Sequence, residues 1–301
     1  MQDQATFRVF FNGHLHPILR KFEKKRKALL LSLGIVIAIT GILSLILVIS
    51  KNYALLLFIP IILWGLQSYI SNKIRQHIQE FKPLLIPEML KFMKADALYS
   101  ANGSLSKEQF NRSGIFGIDP AVYSGEDLIA GKSGQISYEI CELLVMHPSE
   151  IRAKLEKIFD GVFLHAMLSQ NCHGKVFIVP RANWQKNSRG IKSMVRNGAI
   201  ELEKIDNTAF DARFRVFYDV DVKIHNVISP RLQENLIRYY DIGKSEVYTA
   251  FINQDFYLAM QEGFDLLDSS IFRSNLSFDK IYGFYRDLQF YLKIIEDVDR
   301  S

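Results

Sequence analysis

The sequence predicts an α+β protein: an N-terminal two-helix transmembrane hairpin followed by a cytosolic α+β domain with an antiparallel sheet. Three observations lead there. Two charge-free apolar runs, Ala28–Ser50 and Tyr53–Ile70, are separated only by Lys51 and Asn52. Further along, short segments alternate apolar and polar residues between Gly, Asn and Asp turns, which is the strand pattern. Two later stretches, from Pro230 and from Ser277, repeat apolar residues at helical spacing.

A helix crosses a bilayer with roughly 20 apolar residues, and about 17 to 25 are tolerated. The two runs hold 23 and 18 residues. The first contains fifteen Leu, Ile and Val residues and no ionisable group. Each contributes roughly 0.3–0.6 kcal/mol at the helix centre, and no charge opposes insertion. A lone strand of this length could not satisfy its backbone in lipid, so the runs are helices. Pro60 reads as a kink, and Tyr53, Trp64 and Tyr69 sit where interfacial aromatics belong. A soluble core hairpin would keep one polar face, and a cleaved signal peptide would be shorter and end at small residues.

Charge sets the orientation. Residues 1–27 carry a net +5 and residues 71–94 a net +3, while the tip offers only Lys51. The positive-inside bias places both flanks, and so both termini, in the cytoplasm. The whole chain carries +5, but residues 95–301 carry −4, so the basic excess is confined to the membrane flanks. That distribution argues against a nucleic-acid partner and for a lipid bilayer with anionic headgroups. Cys141 and Cys172 are the two cysteines, and they read as reduced and packed. They fall short of a four-ligand zinc site.

The order of elements divides the chain. Residues 1–27 form a basic amphipathic helix with Phe7, Phe10, Phe11, Leu15, Ile18, Leu19 and Phe22 on one side, weakened at Gly13 and Pro17. Residues 28–70 are the hairpin. Residues 71–100 are a juxtamembrane helix broken near Pro83 and Pro87, pairing antiparallel with the first. Residues 101–134 are rich in turn dipeptides and read as loops. A strand covers 135–141. Ser149 then caps a helix carrying Ile151, Leu155, Ile158 and Phe159, closed by Gly161. Residues 162–169 and 175–180 read as a hairpin. Residues 183–199, with Lys186, Arg189, Lys192 and Arg196, read as a solvated basic linker. The second half repeats the order: a strand at 199–205, a helix with Phe210, Phe214 and Phe217, a strand at 222–228, a helix from Pro230 to Gly243, a hairpin at 245–260 and a last helix at 277–298. This order points to two strand-helix-strand-strand units, in halves of about 101–182 and 199–301.

The chemistry is sparse. Gly125 to Ser133 resembles a phosphate loop, but it has five residues between its glycines and strand-like residues after it. Cys172 and His173 are adjacent and would point apart on a strand. His165 lies in an apolar strand and reads as a satisfied core histidine, and Cys141 with His147 has no orienting carboxylate. Glu126-Asp127 and the pair Asp219 and Asp221 are acids of a kind that can hold a cation, though acidic surface turns are commoner than sites. No catalytic, cofactor-binding or metal set emerges. Glu126, Asp127 and His173 are the weak candidates.

Several motifs together resemble a known family. They are Glu126-Asp127 with Gly131, Phe159-Asp160-Gly161-Val162-Phe163, Gly174-Lys175-Val176-Phe177 to Pro180, Leu202-Glu203, Phe210-Asp211 to Phe214, Val216-Phe217-Tyr218 with Asp221, and Ile228-Ser229-Pro230. As a set they are similar to DUF3137, a bacterial membrane-anchored family of unknown function. Ile224-His225-Asn226 departs from it, since the pattern there has a small residue followed by Arg. The resemblance implies the bacterial inner membrane as location, no established reaction and no cofactor, and a LemA-type membrane protein as partner. The expected function is a membrane-anchored, non-enzymatic cytosolic module that binds a protein or the membrane. The alternatives are an enzyme acting at the inner membrane face, with Glu126, Asp127 or His173 in one pocket, and a structural subunit of a membrane complex.

Overall fold

Apolar spacing and few breakers carry helix from Gln4 to Ile49 in the computed structural model, which describes residues 3–50, 59–149, 154–182, 189–196, 201–243, 246–261 and 269–299. Helix α1 (Gln4–Phe10) begins at Asp3, whose carboxylate accepts the Thr6 N–H at 2.9 Å. A π-helical turn, Phe11–Leu15, leads into α2 (His16–Ile49). Pro17 has no N–H for the carbonyl four residues back, at Gly13, and the wider turn absorbs the mismatch. The amphipathic stretch and the first apolar run are thus one continuous helix.

Residues Ala28 to Ile49 rise about 33 Å at ~1.5 Å per residue, against roughly 30 Å of bilayer hydrocarbon. The most apolar window of this helix has a mean hydropathy of 2.7, and none of it is buried. Among the described residues this is the one helix long and apolar enough to cross a membrane. Residues 51–58, with the hairpin tip, Tyr53 and the start of the second run, lie outside the described residues. The rest of that run opens α3 (Ile59–Gln79). One long apolar helix is therefore shown, and the two-helix transmembrane hairpin is not.

The chain divides into two units, Met1–Phe92 with Leu267–Tyr285, and Met93–Leu266 with Arg286–Ser301. In the first, α2 packs against α3, and the Phe22 ring of α2 also meets Phe81 of α4 (Phe81–Met93) at 5.1 Å. The Phe22 ring stacks on His77 at 3.8 Å, and Phe10 stacks on Phe92 at 4.0 Å, so the helices run antiparallel. The expected 71–100 helix does break near Pro83, at Glu80, because Pro83 cannot donate to the Gln79 carbonyl, whereas Pro87 lies inside α4 without ending it. It ends at Met93. At the other end of the interface lies a buried ion pair. Arg26 Nε and Nη2 donate to both Glu23 oxygens at 2.9 and 2.6 Å, and Nη1 donates to the Ile271 carbonyl at 2.6 Å. The Asn275 N–H closes on Glu23 at 3.5 Å.

The second unit is built on one antiparallel sheet of nine strands among the described residues, in the order β1-β2-β3-β4-β9-β8-β5-β7-β6. The strands are β1 (Asp96–Ser100), β2 (Val122–Ser133), β3 (Ile136–Pro148), β4 (Leu155–Met167), β5 (Lys175–Pro180), β6 (Glu201–Glu203), β7 (Phe214–Tyr218), β8 (Glu246–Ile252) and β9 (Asp255–Gln261). Between them lie α5 (Lys107–Arg112), α6 (Arg189–Arg196), α7 (Thr208–Asp211), α8 (Ile224–Val227) and α9 (Pro230–Gly243), and α10 (Phe278–Asp299) follows. Cys141, Leu143, Val145, Phe159, Phe163, Phe177, Tyr248 and Tyr257 line one face, where α5, α6 and the loop through Phe116 cover them. Ile140, Val162, Leu164, Val247, Leu258 and Met260 line the other, all buried. Leu232, Leu236, Leu288, Tyr291 and Ile294 from α9 and α10 are buried as well, and Tyr239 of α9 stacks on Phe290 of α10 at 4.1 Å.

Several expectations need correction. Of the expected Ser149-capped helix, Leu155, Ile158 and Phe159 lie on strand β4 instead, and the Ser149 N–H donates to the Lys154 carbonyl at 2.9 Å; residues 150–153, with Ile151, lie outside the described residues. Gly161 is not a helix end. It is the point where the Met260 carbonyl of β9 comes so close that any Cβ would collide with it. Residues 162–169 and 175–180 do not form a hairpin, because β4 pairs with β9, and β5 with β7 and β8. The 101–134 loop region contains β2, Phe214 and Phe217 lie on β7, and 224–227 is a short helix. The basic segment is helical at 189–196, while Lys186 lies outside the described residues. The strand-helix-strand-strand order is therefore not seen in the first half among the described residues, and both halves feed one sheet.

Two substitutions test this packing. Gly161→Ala forces β4 and β9 apart and should cost about 1–3 kcal/mol, read as a lowered unfolding midpoint of the detergent-solubilised protein. Arg26→Ala leaves Glu23 buried without its cation and should cost about 3–5 kcal/mol, with most of the loss recovered in the Glu23→Leu/Arg26→Met double variant.

Candidate functional site

Of the expected site residues, Glu126 and Asp127 do come together, and a third acid joins them. A bulge between Glu126 and Ile129 interrupts the β2–β3 register and turns Asp127 inward, at φ +60 and 4% exposure. Asp tolerates that left-handed conformation better than most residues. Glu142 pairs with Glu126 across the strands, and Glu126, Asp127 and Glu142 each offer an oxygen within 4.8 Å of the others. The Tyr99 hydroxyl of β1 donates to Asp127 Oδ1 at 2.5 Å. Burial and this bond to a carboxylate hold the Tyr99 phenol protonated, far above its ordinary range. Oxygen-only donors suit a hard cation. Acid clusters are common without one, so the geometry alone assigns no metal. Sequence reading missed Glu142 because strand register, not spacing, brings it in.

His165 is a second polar centre. Its Nε2 lies 2.7 Å from Asp255 Oδ1 and its Nδ1 3.9 Å from Glu139 Oε2, with the ring stacked on Tyr257 at 4.9 Å. Gln109 of α5 donates to Glu139 at 2.8 Å. Burial alone would lower this imidazole, but the hydrogen bonds to Glu139 and Asp255 raise it above its ordinary value. Hydrogen bonding to His165 holds Glu139 below the ordinary carboxylate value, against its burial. The arrangement satisfies a core histidine.

His173 lies elsewhere, in a cleft of about 300 Å3 at one end of the sheet. The β4–β5 turn supplies Asn171, Cys172 and His173, the β8–β9 turn supplies Asn253, and the segment after β7 supplies Asp221, Lys223 and Asn226. The two turns are tied by backbone bonds, Cys172 N–H to the Asn253 carbonyl at 3.0 Å and Asn253 N–H to the Gly174 carbonyl at 2.8 Å. His173 at φ +53 and Asn253 at φ +56 are both left-handed, at a cost of roughly 1–2 kcal/mol for an ordinary residue. Of the other acidic pair, Asp219 accepts the Lys175 N–H at 2.9 Å, and Asp221 lines the cleft. The Cys172 thiol donates to the Gly174 carbonyl at 3.2 Å, and burial raises its pKa. Cys141 is enclosed in the sheet core, accepts the Leu105 N–H at 3.4 Å, and is pushed up to about 12 by burial. His147 instead faces the Asp119 carbonyl at 3.0 Å, so Cys141 and His147 are no catalytic pair. Gly125 to Ser133 lies within β2, where no helix N-terminus could cradle a phosphate.

These features define a class: an α+β protein with one long apolar helix, and polar centres that do not converge on a catalytic set among the described residues. Residues 157–300 match the family described as "Protein of unknown function (DUF3137)", which bears out the resemblance over that segment. The crystal structure of the mycobacterial trehalose monomycolate transport factor A, TtfA, is similar over 72% of this chain and 96% of that chain at 10% identity. Its TM-score of 0.30 is too low to define a shared fold or role. No curated protein matches the chain.

The His165 centre has a pH signature. A raised imidazole contributes stability that is full below about pH 6.5 and lost as pH rises through its folded value. His165→Gln should therefore lower the unfolding midpoint more at pH 6 than at pH 9. An equal loss at both pH values would show that the imidazole charge contributes nothing.

Proposed function

We propose that the chain is a multi-pass protein of the bacterial inner membrane whose cytosolic head is a non-enzymatic module that binds another protein or the inner leaflet. The observation that carries this is the uncovered apolar helix from Ala28 to Ile49 beginning just after an exposed cationic collar. Arg20, Lys21, Lys24, Lys25 and Lys27 of α2 are exposed, as are Lys73 and Arg75 of α3. Each such charge near an anionic leaflet is worth about 1 kcal/mol. The collar marks the cytoplasmic side, and the second apolar run returns the chain there, so both termini are cytoplasmic.

The partner surface in this reading is the β1 edge. Among the described residues β1 pairs only with β2, and Leu98 on it is 82% exposed. An added strand would gain main-chain bonds and cover Leu98, as peptide recognition by strand addition does. A LemA-type membrane protein is the proposed source of that strand. The enzyme reading expects a concave pocket joining at least two of Glu126, Asp127 and His173. The two acids adjoin on β2, and His173 lies apart from them in the β4–β5 turn cleft.

Topology is tested by single cysteines in a background lacking Cys141 and Cys172. Asn52→Cys should react with an impermeant maleimide in intact spheroplasts, and Gln4→Cys and Gln254→Cys only after permeabilisation. Reaction of Gln254→Cys in intact spheroplasts would overturn the cytosolic placement. A partner retained in mild detergent by the wild type and lost on Leu98→Lys supports strand addition, and equal retention removes the edge from the reading.

A further inference from the structure

We infer that the cleft around His173 is a binding site for a small amino-acid-like zwitterion with a short apolar side chain. Its walls and floor have different chemistry. Leu168, Val227, Phe251 and Val298 form an apolar floor, and the walls carry Asn171, His173, Asn226 and Asn253 with one cation, Lys223, and one anion, Asp221. At about 300 Å3 the space fits a small ligand and no larger.

The opposite charges are held on one side by local structure. From Asp221 to Ile224 the chain alternates exposed and buried residues: Val222 and Ile224 point into the core, while Asp221 and Lys223 both face the cleft. The Val222 N–H on the Asp219 carbonyl at 2.9 Å fixes this segment. Gly174 lets it approach, because a Cβ there would meet Val222 and Asp219. Among the described residues neither Asp221 nor Lys223 has an ion-pair partner, in a protein where Arg213 and Asp241 do pair. The tied turns opposite fix the amide and imidazole groups at left-handed positions, so the site is formed before a ligand arrives.

A ligand with a carboxylate for Lys223, an ammonium for Asp221 and a small apolar body for the floor answers both charges and the apolar residues of this lining, with the amides and the imidazole at hand as further hydrogen-bonding groups. A ligand with only one charge leaves its counterpart unanswered, and charge-assisted hydrogen bonds are the stronger kind.

The test uses the full-length protein in detergent micelles, with L-leucine as probe and 4-methylpentanoate and isoamylamine as versions lacking one charge each. Saturation-transfer NMR titration should show leucine binding at least about tenfold tighter than either analogue. Asp221→Asn and Lys223→Gln should each remove that advantage over the analogue lacking the corresponding charge. Leucine should also slow alkylation of half-buried Cys172, while buried Cys141 stays unreactive in every variant and reports that the head is folded. No leucine binding at 10-millimolar order, equal binding of the analogues, or binding unchanged in both variants with Cys172 unprotected would overturn the inference.

Discussion

Everything in this protein is arranged around an apolar surface that water cannot accommodate. From Ala28 to Ile49 the helix presents Leu31, Ile35, Ile39, Ile42, Leu45 and Ile49 to the outside, with no charge and no covering element among the described residues. At about 25 cal/mol per Å2 of apolar surface, leaving it in water is costly. Its few polar side chains look inward: the Ser32, Thr40 and Ser44 hydroxyls donate to carbonyls three or four residues back at 2.7–2.8 Å. No polar group is left that lipid would fail to satisfy.

The root of that helix shows how its apolar run gives way to a polar one. Arg26 lies just before the apolar run and is not exposed like its basic neighbours. Its fork is spent on Glu23 and on the Ile271 carbonyl. A buried pair of this kind adds little net stability against a hydrophobic substitute, but breaking it is expensive. Its physical effect is to fix the register between α2 and the 271–275 segment, while Arg20, Lys21, Lys24 and Lys27 stay exposed.

The long apolar helix was legible because its signal is local and additive: length, hydropathy and flanking charge can each be counted. Helix α9 was legible from Pro230 at its start and Gly243 at its end, and the β8–β9 hairpin from Asn253, which takes the left-handed turn position. The failures have a common cause. Leu155, Ile158 and Phe159 fit a helical stripe, but in β4 their neighbours are fixed by β3 and β9, and sequence carries no direct signal of that pairing. Gly161 looked like a helix end and is a close-approach point instead. Among site residues, Asp127 was visible as an acid but not as a buried bulge residue. Glu142, Asp255 and Lys223 gained their places only through register and turn geometry.

The most direct test of the central claim is extraction of the full-length protein from isolated membranes with alkaline carbonate. A chain whose apolar helix lies in hydrocarbon stays in the membrane pellet and is released only by detergent. Release into the aqueous supernatant at high pH, without detergent, would contradict the account, since surface charge alone could then hold the protein to the bilayer.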